Sequence, residues 1–217
     1  MPVELREPES KALWQQGAPT LIEARDLKGI LHLHTSYSDG KNTLREMAEA
    51  AKLSGYEFIG VTDHSISARY AGGLTLEKIA TQHAEIESLN MELAPFRIFK
   101  GVESDITTGG DLDYPTEVLA SFDFIIASVH SGFQMSTSDM TARIVRAVEN
   151  PFTTILGHPS GRLLLERQGY SFSVEKVLEA AVQNGVVIEL NSNPHRLDLE
   201  WRSLAKAKKL GITTSIN

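Results

Sequence analysis

Short apolar runs alternate with longer amphipathic segments from about residue 28 to the end of the chain. Seven of the apolar runs have the length and the β-branched content of buried strands. The predicted strands are Gly29–His34, Phe58–His64, Arg97–Glu103, Phe124–His130, Thr153–His158, Val186–Asn191 and Ile212–Ile216. Such continuous apolar character is typical of strands that are covered on both faces, as in a parallel sheet.

Helix signals occupy most of the gaps between these strands. Thr43 and Glu46 form a capping box, and Gly55 ends the helix that they begin. Further helices are predicted at Thr75–Leu93, Ser138–Glu149, Ser173–Asn184 and Leu199–Leu210. Alternating strands and helices predict an α/β fold with a parallel sheet and right-handed crossovers. A closed barrel is favoured over an open doubly wound sheet, because an open sheet would gather functional groups at one crevice and not from five consecutive strands.

Residues 1–28 differ from the rest of the chain. Pro2, Pro8 and Pro19 interrupt this stretch, charged residues are frequent, and no long periodic pattern appears. We interpret residues 1–28 as an arm or inter-domain linker with a short helical patch at Ser10–Gln16, and residues 29–217 as the folded domain.

Composition restricts the classes of function. The 217 residues suffice for one well-buried domain. A net charge of −7 indicates weak binding of nucleic acid by this chain alone. The absence of cysteine excludes disulfides and thiolate zinc sites. Neither an apolar run long enough for a membrane span nor a secretory signal is present, so we expect a cytoplasmic protein with no membrane partner.

Candidate chemistry lies at the ends of the predicted strands. Five of the seven histidines and one glutamate end strands, namely His32, His34, His64, Glu103, His130 and His158. In a parallel barrel all strands deliver their carboxyl ends to one face, where enzymes of this architecture work. A buried carboxylate among imidazoles is costly unless it is paired or metal-bound. The sequence therefore predicts one cluster of divalent metals bound by imidazole and carboxylate.

The first strand supplies the densest part of this pattern. His32 and His34 are two residues apart, so their side chains share one face, while Leu31 and Leu33 are expected to face the helices. The polar loop that follows contains Asp39, which is either a further metal ligand or part of a plain Asp-Gly turn.

Three other polar residues lie outside this ligand pattern. Asp63, next to His64, is either a carboxylate that orients a ligating histidine or a helix cap. His83 lies in mid-helix and is expected to be solvated. His195 lies on a loop near the rim, where an ordinary surface role is favoured.

Charge then indicates the substrate. Five neutral imidazoles and two carboxylates total −2, whereas two or three divalent ions would add about +4 to +6. The surplus favours an anionic substrate, and phosphate fits because paired metals stabilise phosphoryl transfer. Arg162 and Arg196 follow the fifth and sixth strands; they either bind phosphate oxygens or form surface salt bridges.

The combined motifs His32-x-His34, Asp39, Thr62-Asp63-His64, Gly101-x-Glu103, Ser128-x-His130 and Gly157-His158-Pro159 resemble the PHP (polymerase and histidinol phosphatase) family. The resemblance covers residues 29–217. It implies a distorted (β/α)7 barrel that binds two or three metals, commonly manganese, with zinc or iron as alternatives. It also implies a hydrolase that cleaves phosphoesters with a metal-bound hydroxide, in which Glu103, His130 and His158 act as catalytic residues.

Within this family, the segments Lys28–Thr35, Gly157–Leu164 and Asn191–Asp198 resemble the C-terminal PHP domain of bacterial family X DNA polymerases. That resemblance implies a manganese-dependent 3′–5′ exonuclease and phosphatase that acts on DNA 3′ ends, with a polymerase core in the same parent chain. Two alternatives stay open: a stand-alone small-molecule phosphatase of the histidinol-phosphatase type, and a non-catalytic, metal-stabilised interaction module.

One departure from the family pattern matters. The family supplies an Asp-x-His pair after its seventh strand, whereas this sequence ends at Asn217, at the end of that strand. Two of the nine usual ligands are then absent from the sequence, and we expect weakened metal occupancy and reduced activity, with the ion held by His130 and His158 affected least.

Overall fold

Seven parallel strands joined by helices form a nearly closed barrel. The structure, a computed structural model, describes residue 20 and residues 22–217. The predicted helical patch at Ser10–Gln16 and most of the predicted arm lie outside the described residues. The first described element is a short 3-10 helix at Ala24–Asp26, just before the barrel.

The strands follow one another around the barrel in sequence order. They are β1 (Gly29–Leu33), β2 (Phe58–Val61), β3 (Arg97–Asp105), β4 (Phe124–Ser128), β5 (Ile155–Leu156), β6 (Val187–Leu190) and β7 (Thr214–Ile216). Each strand pairs in parallel with the next. Within the described residues no ladder joins β7 to β1; instead, the backbone N–H of Leu31 donates to Asn217 Oδ1 at 2.8 Å across this seam.

Helices cover the outside of the sheet. They are α1 (Leu44–Leu53), α2 (Leu76–Glu92), α3 (Thr116–Leu119), α4 (Thr137–Val148), α5 (Val174–Asn184) and α6 (Trp201–Lys209). The capping box at Thr43 and Glu46 forms as predicted, and Gly185 ends α5 in the left-handed conformation. Helix α3 was not predicted, because four residues are too few to show a helical period. Among the described residues, no helix has both the length and the apolar character needed to cross a bilayer.

Most strands end earlier than predicted. The sequence places His64, His130 and His158 within strands, but β2 stops three residues before His64, and β4 and β5 stop two residues before His130 and His158. Near the mouth of the barrel, carboxylates replace backbone partners: the N–H of Thr35 donates to Asp63 and that of His158 to Glu189. Only β3 continues past its predicted end.

Apolar side chains form three clusters around the sheet. Two lie between sheet and helices, and the third contains Phe124, Ile126 and Ile155. Phe124 and Ile126 alternate in step with His130, which places this third cluster inside the barrel, beneath the mouth.

One of the two predictions for the leucines of β1 is wrong. Leu33 packs against the helix-facing cluster as predicted, but Leu31 packs against the interior cluster. The pairing register of β1 with β2 shifts between Ile30 and Leu33, and such an irregularity breaks strict alternation.

The interior cluster depends on two glycines. A Cβ added at Gly60 or Gly101 would lie 2.4 Å from Cζ of Phe124, and one at Gly101 would also lie 2.7 Å from the carbonyl oxygen of Val61. The Phe124 ring therefore fills the space that these glycines leave.

We expect Gly101→Ala to lower the free energy of unfolding by about 1–3 kcal/mol, because the added methyl overpacks the barrel interior. Urea denaturation of the full chain measures this change. Gly109→Ala is the matched control, since its Cβ would come no closer than 3.6 Å to Asp111 Oδ2. Equal stability of the two variants would contradict the packing argument.

Candidate metal centre

Glu103 is the centre of the site at the mouth of the barrel. Its side chain is only 1% exposed and lies among all five of the predicted strand-end histidines. Its carboxylate oxygens lie close to one ring nitrogen of each: His32 Nε2 at 3.2 Å, His34 Nε2 at 3.3 Å, His64 Nδ1 at 3.1 Å, His130 Nε2 at 3.3 Å and His158 Nε2 at 2.8 Å. Residues from five strands thus converge, although their role as ligands remains a prediction.

The spacing of these donors suits metal ions. Two atoms that are each about 2.1 Å from one ion lie about 3.0–3.4 Å apart at octahedral or tetrahedral angles, and four of the five distances at Glu103 fall between 3.1 and 3.3 Å. His64 Nδ1 is buried without a hydrogen-bond partner although Glu103 Oε2 is 3.1 Å away. This misaligned contact is what two ligands facing a shared ion would give.

The donors form several overlapping sets. Among the described residues, four groups of three have ligand atoms that all lie within 4.8 Å of one another: His32, His34 and Glu103; His34, Asp39 and His64; His64, Asp105 and His130; Glu103, His130 and His158. Imidazole with carboxylate suits Mn²⁺, Fe²⁺ and Zn²⁺ alike. Overlapping sets with shared members fit a cluster of ions better than a single ion.

Asp39 lies within this cluster and is not only part of a turn. Its carboxylate is 3.0 Å from His34 Nδ1 and 3.6 Å from His64 Nε2. The hydrogen bond with His34 lowers the pKa of Asp39 below its ordinary value. Its side chain is 49% exposed, so Asp39 borders the opening of the site.

Asp63 anchors the loop that carries Asp39. Its buried carboxylate accepts hydrogen bonds from the backbone N–H and the hydroxyl of both Thr35 and Ser38, and from Nε2 of Gln82. Asp63 therefore positions the 35–39 loop. Neither sequence interpretation describes this role, because these hydrogen bonds of Asp63 reach a loop and Gln82 and neither a histidine nor the start of a helix.

Sequence reasoning missed two carboxylates at the site. Asp105 Oδ1 lies 2.6 Å from His130 Nδ1, and Glu189 Oε1 lies 2.6 Å from His32 Nδ1. Both contact the ring nitrogen opposite the one that faces Glu103. Asp105 could have been found, because it follows Glu103 by two residues and so shares its face of β3. Glu189 gave no comparable signal.

The site is electrostatically coupled. Burial opposes protonation of the imidazoles, but nearby carboxylates outweigh it and raise the pKa of His32 to about 10 and those of His34 and His130 to about 9. Burial leaves His64 with a pKa of about 4. Although burial alone would raise the pKa of Glu103, the charges on His32 and His130 hold it well below its usual value.

The two predicted phosphate-binding arginines lie in different places. Arg196 lines the cavity of about 660 Å³ at the mouth, and its Nη1 is buried without a hydrogen-bond partner. Arg162 does not line that cavity: its guanidinium donates to the carbonyl oxygens of Arg196 and Leu197. Arg162 therefore supports the loop after β6, and Arg196 remains the candidate for phosphate.

The remaining histidines stay outside the cluster. His83 is half-buried, with its ring edge-on to Phe122 at 5.0 Å, and burial lowers its pKa. The expectation that His83 is solvated is therefore wrong. His195 is exposed, which fits the surface role favoured from the sequence.

Comparisons with known proteins fit this geometry. The family model described as "PHP domain" matches residues 31–193. The "DNA polymerase/3'-5' exonuclease PolX" of Bacillus subtilis is 42% identical over all 217 residues, which span 38% of that protein. A "probable phosphatase" of Acetivibrio thermocellus is 31% identical over 75% of this chain and 64% of its own. The chain thus spans less than two thirds of either relative.

A solved structure shares the fold. Histidinol phosphate phosphatase from Lactococcus lactis, complexed with zinc, L-histidinol and phosphate, superposes with a TM-score of 0.65 at 21% identity, over 88% of this chain and 86% of that one. At this identity the likeness supports the barrel architecture alone.

We expect divalent ions to displace protons from this site. In the metal-free chain the raised pKa values keep His32, His34 and His130 protonated at pH 7. Apparent affinity for Mn²⁺ should therefore increase between pH 7 and pH 9. Calorimetric titration in two buffers of different ionisation enthalpy counts the protons, and we expect more than one per chain at pH 7.

The same pKa values determine how the stability of the metal-free chain changes with pH. Because the folded-state pKa values exceed the ordinary 6.5, the stabilisation from these histidines is complete below about pH 6.5 and is lost as pH rises through 9–10. Metal binding without proton release, or affinity that falls as pH rises, would contradict this description.

Proposed function

The chain belongs to the PHP family, and on that premise we propose that it is a metal-dependent phosphoesterase that acts as a 3′–5′ exonuclease at DNA ends. The observation that carries the proposal is the buried Glu103 carboxylate with five imidazole nitrogens around it at ligand-like distances. This arrangement is costly for a protein without cations and suited to one that binds them.

The predicted ligands are His32, His34, Asp39, His64, Glu103, His130 and His158. Two or three divalent ions, with Mn²⁺ favoured and Zn²⁺ or Fe²⁺ as alternatives, would supply Lewis acidity and a water of lowered pKa. Glu103 would hold neighbouring ions together, since each of its two oxygens faces a different set of histidines. His130 and His158 would complete the ligand set on the opposite side from His34 and His64.

Arg196 is proposed to bind the phosphate. Arg196 lines the cavity, and its Nη1 has no hydrogen-bond partner within the protein, so the guanidinium keeps donor capacity for a phosphate oxygen. Asn191 and Asn193 line the same cavity and add neutral donors. A cation with neutral amides fits an anionic phosphoester.

DNA is favoured as substrate by the relative named for a 3′–5′ exonuclease, which matches the full chain. Because that relative is much longer, we propose a polymerase core as the partner region in a parent chain, and that core would supply the positive DNA-binding surface that a net charge of −7 does not. The second candidate is a small-molecule phosphatase, which the relatives named as probable phosphatases favour.

The test is nuclease assay of the full chain with Mn²⁺ on 5′-labelled DNA with recessed 3′ ends. We expect stepwise release of mononucleotides. Glu103→Gln should lower the rate of release by more than about 100-fold, because mutation of residues that only hydrogen-bond to metal ligands already lowers activity by about 10- to 100-fold. Glu87→Gln is the matched control, since Glu87 is an exposed helical residue that pairs with Lys100. Hydrolysis of L-histidinol phosphate without any attack on DNA would favour the phosphatase instead.

A second prediction concerns Arg196. Arg196→Ala should lower kcat/KM on the preferred phosphoester by about 10- to 100-fold, the range for loss of a charged hydrogen bond, and leave Mn²⁺ affinity unchanged. Arg146→Ala is the control, because Arg146 pairs with Asp111 on the surface. Unchanged kinetics in Arg196→Ala would remove this residue from the binding site.

A further inference from the structure

We infer that Glu189 is a positioning residue that fixes the ring of His32 and the backbone of His158, so that both present Nε2 to Glu103. Glu189 lies on β6 and is not one of the seven predicted ligands. The inference rests on the proposed function, because it assumes that His32 and His158 bind metal.

The first contact is with His32. Glu189 Oε1 lies 2.6 Å from His32 Nδ1, while the opposite nitrogen, Nε2, lies 3.2 Å from Glu103. Both carboxylates can only accept hydrogen bonds, and Glu189 makes the shorter contact, so the single proton of a neutral His32 is assigned to Nδ1. The lone pair is then left on Nε2, where a metal would bind. Glu189 thereby selects both the tautomer and the ring orientation.

The second contact is with His158. Its backbone N–H donates to Glu189 Oε2 at 2.6 Å, and its Nε2 lies 2.8 Å from Glu103. His158 has a φ of 24°, which is unfavourable for a residue with a Cβ. The hydrogen bond that the His158 N–H donates to the charged Glu189 opposes that backbone cost. The turn that directs the His158 ring into the mouth therefore depends on the same carboxylate.

The setting of Glu189 makes these contacts specific. Its side chain is fully buried, and Asn217 Nδ2 donates to Oε1 at 3.2 Å. Asn217 also accepts from the N–H of Leu31, across the seam between β1 and β7. Glu189 thus connects β1, the end of β5 and the end of β7 at the seam where the described residues form no ladder. Burying a carboxylate costs free energy unless its oxygens accept hydrogen bonds, and here each oxygen of Glu189 has a hydrogen-bond partner.

The test measures Zn²⁺ affinity and not activity. Glu189→Gln replaces two acceptors by one acceptor and one donor, so it cannot accept from both His32 and His158. By calorimetric titration of the full chain, we expect its Kd for Zn²⁺ to be 10- to 100-fold weaker than wild type, with an unchanged circular dichroism spectrum. Glu189→Asp keeps the charge but has a shorter side chain, so its Kd for Zn²⁺ should lie between those of the wild type and Glu189→Gln.

Ile144→Val is the control for a general loss of stability. Ile144 is fully buried on α4, away from the histidines, so this variant should unfold more easily and bind Zn²⁺ as the wild type does. An equal loss of affinity in Ile144→Val would overturn the positioning role. Wild-type affinity in Glu189→Gln would overturn it as well, and would leave the proposed function intact.

A second measurement tests the inference even if Glu189→Gln does not fold, because it uses the wild-type chain. Long-range ¹H–¹⁵N spectra of the Zn²⁺-loaded wild-type chain report which nitrogen of His32 carries the proton. Protonation at Nδ1 supports the inference, and protonation at Nε2 overturns it. A wild-type chain that binds no Zn²⁺ overturns the proposed function itself, together with this inference.

Discussion

A carboxylate that is withdrawn from water needs positive charge beside it, and the mouth of this barrel is organised around that requirement. Glu103 is almost fully buried and is surrounded by imidazoles from four neighbouring strands. Protons satisfy the requirement in the metal-free chain, which is why several of the surrounding histidines have raised pKa values. Divalent cations would satisfy it more completely, because they carry more charge and coordinate several donors at once.

Three carboxylates other than Glu103 contact imidazoles of the cluster at the ring nitrogen opposite the one near Glu103. Asp39, Asp105 and Glu189 contact Nδ1 of His34, His130 and His32 in turn. Asp39 contacts His34 from the loop that directly follows β1, whereas Asp105 and Glu189 lie 25 and 157 residues from His130 and His32. The rings of His130 and His32 are therefore held by the assembled barrel and not by local structure. This pattern directs Nε2 of all three histidines toward Glu103.

The predicted metal ligands and the candidate phosphate-binding residues lie in different parts of the molecule. The strand ends supply the cluster, which suits hydrolysis of phosphoesters in general. The loop after β6 supplies Arg196 and the asparagines of the cavity wall, and Arg162 holds that loop from behind.

The sequence by itself determined the order of strands and helices and the convergence of the histidines, because hydrophobic periodicity and the common direction of parallel strands fix which residues reach the mouth. Only the tertiary structure decided the partners. His32 and Glu189 are 157 residues apart. Nothing in the sequence around Glu189 distinguishes it from an ordinary glutamate on a strand, so their contact could not be predicted. It likewise decided that Arg162 binds backbone carbonyls and that Leu31 faces inward, since curvature, register and loop conformation arise only when the barrel assembles.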